Sequence, residues 1–500
     1  YNMPKIKTIK KPAICDNKLS FHDCELAILR QSVDENEQIR NRKVVSNDQV
    51  KDILKIVEDF IIHKKLVCYG GTAINNILPI HAQFYNRDVE LPDYDFFSSN
   101  ALNDAKELAD IYYKAGYEDV EAKSGVHKGT FKVFVNYIPI ADITEIVDSL
   151  FKTIQTESII KAGIRYAPVN YLRMSMYLEL SRPEGDISRW EKVLKRLTLL
   201  NKFYPLKSQN CDKIDFQRNI ETINNIDKTS TVLYDIIRNS FIDQGVVFFG
   251  GHAVSSYSKY MSKHKKHLLR KVPDFDVLSD DIERTSLILS EELKQAGYQD
   301  VITEDIEKIG ELIPRKIKVS LGKEVVAYIY EPIACHSYNT IKVHNSQINI
   351  ATIDTILTFY LSFLYTKLNE YHSDRLLCMA QFLYDVEEKN RLNQKGLLKR
   401  FTMKCIGKQP TIEDMRAEKA VKFKELKNNR NCNEFERLFL RYIPSNEADK
   451  NNYQNELKKN KKTDNLNSKK TMKNKRNKKA KAKNKSVKTD IITRIQTLLT

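Results

Sequence analysis

From Asn47 to His63 the apolar residues fall at Val50, Ile53, Ile56, Val57 and Phe60, a three-and-four spacing that predicts an amphipathic helix laid on a core. The apolar run Leu66-Val67-Cys68 that follows, closed by Gly70-Gly71, reads as a buried strand turning into another helix. Ala105 to Lys114 is helical again and stops at Ala115-Gly116-Tyr117. Tyr137 to Ile143 is an apolar run broken by one acid, Asp142, and Tyr171 to Leu180 and Ser188 to Phe203 read as paired helices. Residues 1–45 read as an irregular, partly helical lead.

The pattern then recurs. Val246-Val247-Phe248-Phe249-Gly250-Gly251-His252-Ala253 repeats Leu66-Val67-Cys68-Tyr69-Gly70-Gly71-Thr72-Ala73 at an offset of 180. Val272-Pro273-Asp274-Phe275-Asp276-Val277 repeats Leu91-Pro92-Asp93-Tyr94-Asp95-Phe96 at 181, as Ala296-Gly297-Tyr298 repeats Ala115-Gly116-Tyr117. Ile353 to Leu364 and His372 to Tyr384 match the paired helices in position. Near-constant offsets over a domain length indicate a duplication into two α/β lobes.

The repeated residues carry chemistry. Strand alternation in Asp93-Tyr94-Asp95 puts both carboxylates on one face and the aromatic on the other. Asp142 adds a third from a neighbouring strand. Three carboxylates are hard oxygen ligands that can clamp two divalent cations roughly 3.5–4 Å apart, an arrangement suited to joining a hydroxyl to a phosphorus centre. Gly70 and Gly71 let backbone N–H groups at a helix start approach a triphosphate, and Thr72 offers a hydroxyl to that cradle. Arg189, Lys192 and Arg196 share a face of the following helix, with Lys195 beside them, and can neutralise phosphate charge, although such a face is also what a solvated helix presents. The second copy has His252 for Thr72, Tyr328 where the third acid is needed, and Tyr371, Asp374, Leu377 and Cys378 in place of the basic face. It reads as a decayed copy kept for shape, with Asp274 and Asp276 serving as local hydrogen-bond acceptors.

Composition adds two constraints. A hydrophobic fraction of 41% and a mean hydropathy of −0.48, with no apolar run near the ~18 residues of a membrane span, exclude an integral membrane protein built of helices. Tyr1 to Lys11 lacks the apolar core of a signal peptide. The eight cysteines show no paired Cys-x-x-Cys spacing, which argues against structural zinc and suits a reducing compartment. Of the net charge of +17, the stretch Lys458 to Lys488 carries fifteen Lys and Arg against one acid, or +14. Such a tail is too polar to fold alone. It is either an electrostatic clamp on nucleic acid, through residues such as Lys473, Lys475, Arg476, Lys478 and Lys479, or a solubility or targeting segment.

The order strand, Gly-Gly, helix, Asp-x-Asp, third Asp resembles the DNA polymerase β superfamily. Its wording, together with the stretch from Ala167 to Pro183, resembles the viral poly(A) polymerase catalytic subunits of poxviruses and giant viruses, the mimivirus-like ones most. The interval from Gly71 to Asp93 is longer than in many superfamily members, consistent with an insertion near His81 to Glu90. The resemblance implies two tandem polymerase β-like nucleotidyltransferase lobes, each a small mixed sheet with flanking helices and a helical portion. Residues 46–205 form the catalytic lobe and 206–390 the degenerate one, with a helical region over 391–450 and a disordered basic tail over 451–500. It implies template-independent transfer of AMP from ATP to RNA 3′ ends with two Mg²⁺ or Mn²⁺ ions on Asp93, Asp95 and Asp142, in a homodimer working in the host cytoplasm, a viral factory or the virion. A CCA-adding or oligoadenylate-type enzyme shares the triad, and a non-catalytic RNA-binding subunit is the other alternative.

Overall fold

The structure is a computed structural model that describes residues 20–45, 48–85, 92–209, 211, 229–261, 275–343, 346–366 and 372–445. The fold below is that of the compact unit Tyr1–Tyr442; of the second unit, Ile443–Thr500, only residues 443–445 are described.

The first lobe runs through helices α1 (Phe21–Val45), α2 (Asp48–Lys64), α3 (Gly70–Ile77), α4 (Ala101–Lys114), α5 (Asp148–Thr156), α6 (Val169–Leu180) and α7 (Trp190–Phe203). Its strands are β1 (Val67–Cys68), β2 (Tyr94–Ser98), β3 (Val120–Ser124), β4 (Thr130–Val135), β5 (Ile138–Glu145), β6 (Ile159–Lys161) and β7 (Ile164–Tyr166). The second lobe carries α8 (Thr229–Asp243), α9 (Gly251–Ser256), α10 (Ile282–Gln295), α11 (Ile353–Phe363) and α12 (Ser373–Lys389). Its strands are β8 (Val247–Phe248), β9 (Phe275–Leu278), β10 (Val301–Ile306), β11 (Lys316–Leu321), β12 (Glu324–Tyr330), β13 (His336–Val343) and β14 (Ser346–Ala351). The chain ends its described course with β15 (Cys405–Ile406), α13 (Ile412–Leu426), α14 (Asn433–Phe439) and β16 (Arg441–Tyr442).

The helix over Asp48–Lys64 buries Val50, Ile53, Val57 and Phe60, the residues whose spacing predicts it. The lead contains a longer helix than expected, α1, whose weak amphipathicity leaves little signal in the sequence.

Two mixed sheets of eight strands confirm the duplication. Their orders, β16-β3-β4-β5-β2-β1-β7-β6 and β10-β11-β12-β9-β8-β14-β13-β15, are the same apart from the short added strand at one edge of each. Even an irregularity recurs: the β4–β5 pairing slips between Val133 and Phe134, and β11–β12 slips between Val319 and Ser320. The segment expected as a helical region over 391–450 carries α13 and α14 and also adds a short strand to each sheet. Its β15 extends the second sheet along β13, and its β16 extends the first along β3.

Helix α11 packs on α6, and Tyr171 bridges them, edge-on to Phe97 of the first sheet at 5.5 Å and to Tyr365 at 5.4 Å. Tyr166, Tyr171 and Tyr177 are thus core residues. Trp190 is half-buried, donating Nε1–H to the Glu179 carbonyl at 3.0 Å and lying against Phe401. The cysteines depart from the reading of unlinked thiols: Cys211 is bonded to Cys378 and Cys335 to Cys405, across sequence separations of 167 and 70 that no local spacing can reveal. Cys68 and Cys432 are free.

Behind this interface lies a buried charge cluster. Arg400 donates Nε–H to both Asp354 oxygens at 3.0 and 2.8 Å, Nη2–H to Oδ1 at 2.7 Å, and pairs with Glu387 through Nη1. Burial, with Asp354 alongside, pushes the Glu387 carboxyl upward against the pull of Arg400. Arg400→Met should therefore leave two buried carboxylates uncompensated and cost about 3–5 kcal/mol in urea unfolding. A loss under about 1 kcal/mol would contradict that role.

Candidate active site

Parallel pairing of β2 with β5 sets Asp95 directly opposite Asp142, and antiparallel pairing of β4 with β5 sets Lys132 opposite Asp142 on the same face. Asp93 immediately precedes β2 and opens to solvent at the cleft mouth. Tyr94, between the two acids, is buried on the opposite face as alternation requires. The structure therefore brings Asp93, Asp95 and Asp142 to one face. Lys132, which the sequence reading does not single out, bonds Asp142 Oδ2 through Nζ.

Neighbours hold this face in place. Tyr69 donates its N–H to the Asp95 carbonyl at 2.9 Å, stacks on Phe97 at 3.9 Å, and shares a hydrogen bond of 2.8 Å with Thr144 Oγ1. Gly70, at a φ of +71°, has to be glycine: a Cβ there would lie 2.6 Å from Asp95 Oδ2. Thr72 is buried and donates its hydroxyl to the Asp93 carbonyl at 2.7 Å. Its visible task is to anchor the Asp93 loop.

Crowded acids raise one another's pKa. Burial, then Asp93 and Asp142, push Asp95 up to about 7 against the pull of Lys132 and Arg189. Asp93 is raised by desolvation and by Asp142, against Lys132 and Lys192. Lys132 alone thus undercompensates the cluster, and the all-oxygen donor set fits hard divalent cations. The carboxylates stand apart, their oxygens not all within 4.8 Å of one another; among the described residues the one group that tight is Glu184 with Cys335 and Cys405, whose sulfurs are bonded to each other.

The basic helix α7 meets this cleft with one side only. Arg196 is buried, bonds Tyr85 Oη at 2.6 Å and lies over the Phe84 and Tyr85 rings. A Cβ on Gly71 would collide with Tyr85 Oη and the Arg196 guanidinium, so both sit at the start of α3. Tyr85 belongs to the insertion, and its N–H is held by Asn75 Oδ1 at 2.9 Å. Lys192 and Arg189 act on Asp93 and Asp95 electrostatically, and Arg189 also pairs with Glu179 at 3.1 Å. Lys195 is not brought in. It pairs with Glu191 at 2.6 Å, both largely exposed.

In the second lobe Asp276 faces Tyr328 in the register that Asp95 shares with Asp142, so the third acid is replaced by a buried phenol. His252 stands for Thr72, buried against Phe248 and Phe275 with Nδ1 3.0 Å from Tyr234 Oη. Burial, with Arg238 nearby, pulls its pKa down to about 4, so it is neutral. The buried Lys316 ammonium lies 4.5 Å over Tyr328 and 5.6 Å over Tyr330. Aromatic rings and a buried lysine thus surround the residue that stands opposite Asp276. Asp274, Tyr371 and the tail residues Lys473, Lys475, Arg476, Lys478 and Lys479 lie outside the described residues.

Fold and site together give a lobe that bears three carboxylates on one face of a mixed sheet, followed by a second lobe of the same topology. Over 91% of this chain and 93% of the other, the structure superposes on the crystal structure of the Megavirus polyadenylate synthase with a TM-score of 0.71 at 18% identity. Residues 55–186, which contain the triad, match the family model described as poly(A) polymerase catalytic subunit. The chain is 31% identical over 181 residues to an African swine fever virus protein and 30% identical over 217 to one of Acanthamoeba polyphaga mimivirus, both named for the catalytic subunit of a poly(A) polymerase. These alignments span 35% and 41% of this chain but only 38% and 36% of the relatives. The triad-bearing lobe is thus related to the viral poly(A) polymerase catalytic subunits.

Asp95 has a folded-state pKa of about 7 against an ordinary 3.8, so folding favours its protonated form, and its charge destabilises the metal-free protein progressively as pH rises from about 4 to 7. Asp95→Asn should accordingly stabilise the metal-free protein by on the order of 2–4 kcal/mol at pH 8 and by almost nothing at pH 4. Added Mg²⁺ should stabilise the wild type and leave the variant unmoved. Thermal unfolding at both pH values reads this; a variant less stable at pH 8 would contradict it.

Proposed function

We propose that this chain is a template-independent polynucleotide adenylyltransferase that adds AMP from ATP to RNA 3′ ends. The observation that carries the reading is a complete carboxylate triad on adjacent parallel strands, beside a glycine-led helix start flanked by Arg196, in one lobe only. The viral relatives support the choice of ATP and RNA as substrates, and on the same reading the site of action is the host cytoplasm, a viral factory or the virion.

Mg²⁺ or Mn²⁺ ions held by Asp93, Asp95 and Asp142 would supply stabilisation of the attacking and leaving oxygens. The chain's own residues do the rest. The start of α3 at Gly70 and Gly71 offers N–H groups and the positive helix end to the triphosphate, while Arg196 and Lys192 offset its charge. Lys132 occupies Asp142 Oδ2 and leaves Oδ1 to accept the proton of the 3′ hydroxyl. The 3′ oxygen so freed attacks the α-phosphorus, the bond to the β-phosphate oxygen breaks, and pyrophosphate leaves. The basic tail, through Lys473, Lys475, Arg476, Lys478 and Lys479, adds phosphate contacts that do not depend on sequence. The homodimer implied by the resemblance remains an expectation, read by light scattering of the full chain.

The test is incorporation of labelled ATP, CTP or UTP on an RNA primer with Mg²⁺ or Mn²⁺. Long tails from ATP alone are expected; short products that include CMP would indicate a CCA-adding enzyme, and no incorporation a binding subunit. Asp93→Ala should lower AMP incorporation about a thousandfold, or roughly 4 kcal/mol of barrier, whereas Asp276→Asn should stay within about threefold. More than a tenth of wild-type activity in Asp93→Ala would rule out this site.

A further inference from the structure

The third acid has polar neighbours on its own face. Beside the pair Lys132 and Asp142, Thr130 of β4 stands directly opposite Thr144 of β5. Alternation turns all four side chains to the same side of the sheet. Thr130 Oγ1 and Thr144 Oγ1 lie 3.1 Å apart, and Tyr69 Oη lies 2.8 Å from Thr144 Oγ1. The three residues are half-buried, and their side chains make no other hydrogen bond among the described residues. Three hydroxyls joined by two hydrogen bonds leave one O–H proton unspent. A phenol is a more acidic donor than an alcohol, so the chain runs from Tyr69 to Thr144 to Thr130, and the spare proton sits on Thr130 Oγ1.

The second lobe shows that the sheet does not need this chain. In the register that puts Tyr328 in the place of Asp142, Tyr330 takes the place of Thr144 and Lys316 that of Thr130. Phe249 takes the place of Tyr69 and keeps its main-chain bond, N–H to the Asp276 carbonyl at 3.0 Å. Strand order and the pairing slip survive these exchanges, and Lys318 is retained as the counterpart of Lys132. What is missing together is the third acid and all three hydroxyls. Their loss in step ties the hydroxyls to what the acid does.

Thr130 is the diagonal neighbour of Asp142 across the β4–β5 pair, so their side chains start about 7–8 Å apart. On the adenylyltransferase reading Asp142 accepts the proton of a 3′ hydroxyl. A ribose carries its 2′ oxygen on the adjacent carbon, and one hydrogen bond at each end lets the sugar span that gap. We propose that Thr130 Oγ1 donates to the 2′ oxygen of the ribose whose 3′ hydroxyl faces Asp142, with Thr144 and Tyr69 fixing its rotor, so that the site prefers an RNA end to a DNA end. The inference rests on the adenylyltransferase reading for the identity of that ribose, and one arm of its test is binding without turnover.

The full chain with Mg²⁺ is titrated against a 5′-labelled ten-nucleotide oligo(A) and against the same strand ending in 2′-deoxyadenosine, and anisotropy gives each Kd without ATP. Addition of one nucleotide to each strand, from ATP and from 2′-deoxy-ATP, gives kcat/KM. The wild type should prefer the ribose end about five- to tenfold in both readouts, the worth of one hydrogen bond. Thr130→Val keeps the shape and removes the donor, and the preference should fall to within about twofold. Tyr69→Phe, the residue the second lobe carries, should fall between the two, because Thr130 can then turn its proton onto Thr144. No preference in the wild type, an undiminished preference in Thr130→Val and Tyr69→Phe proteins that melt normally, or equal weakening of both strands would overturn the assignment, the last marking the hydroxyls as structural. If Thr130→Val instead loses its discrimination between ATP and 2′-deoxy-ATP while the primer preference holds, the hydroxyl reads the incoming nucleotide and the strand assignment falls. A wild type that binds the ribose end preferentially through Thr130 yet adds no AMP would refute the adenylyltransferase reading and leave the contact assigned.

Discussion

Three carboxylates gathered on one face of a partly desolvated cleft repel one another, and much of the first lobe is arranged to hold them there. Parallel register sets Asp95 opposite Asp142. Gly70 clears the space that Asp95 occupies, Thr72 ties down the Asp93 loop, and Lys132 supplies partial compensation at Asp142. The result is a site in which burial and the neighbouring acids push Asp95 up to about 7 and raise Asp93 in the same direction. Self-repulsion of this kind is costly to keep, and bound cations would relieve it.

The second lobe shows what the same sheet becomes once that requirement is lifted. Topology, register and the pairing irregularity survive, and so does the glycine, since a Cβ on Gly250 would strike Asp276. The chemistry has been exchanged for packing: Tyr328 for the third acid, neutral His252 for Thr72, and Lys316 as a resident cation among aromatic rings. Its helical portion packs on that of the first lobe through Tyr171 and Tyr365.

Features carried by periodicity and by short motifs were legible in the chain: helix α2, the paired helices, both Gly-Gly turns and the matched aspartates. Features made by long-range register were not. Lys132 sits ten residues from Asp142, the one lysine of a strand where it looks like an ordinary edge charge until the hairpin pairs it. Tyr85 comes from an insertion with no periodicity. The disulfides were hidden for the same reason. Lys192 and Arg189 act on the first-lobe acids, but a run of charge does not say which member points away, and Lys195 does, toward Glu191.

The central claim is that one lobe is a metal-dependent catalytic site and the other its packed-in remnant. Crystals of the full chain grown with Mn²⁺ and a non-hydrolysable ATP analogue, measured for anomalous scattering at the manganese edge, test it most directly. The account predicts manganese peaks bounded by Asp93, Asp95 and Asp142 and none beside Asp276. Manganese bound at Asp276, or none at the first-lobe acids when the analogue is in place, would contradict it.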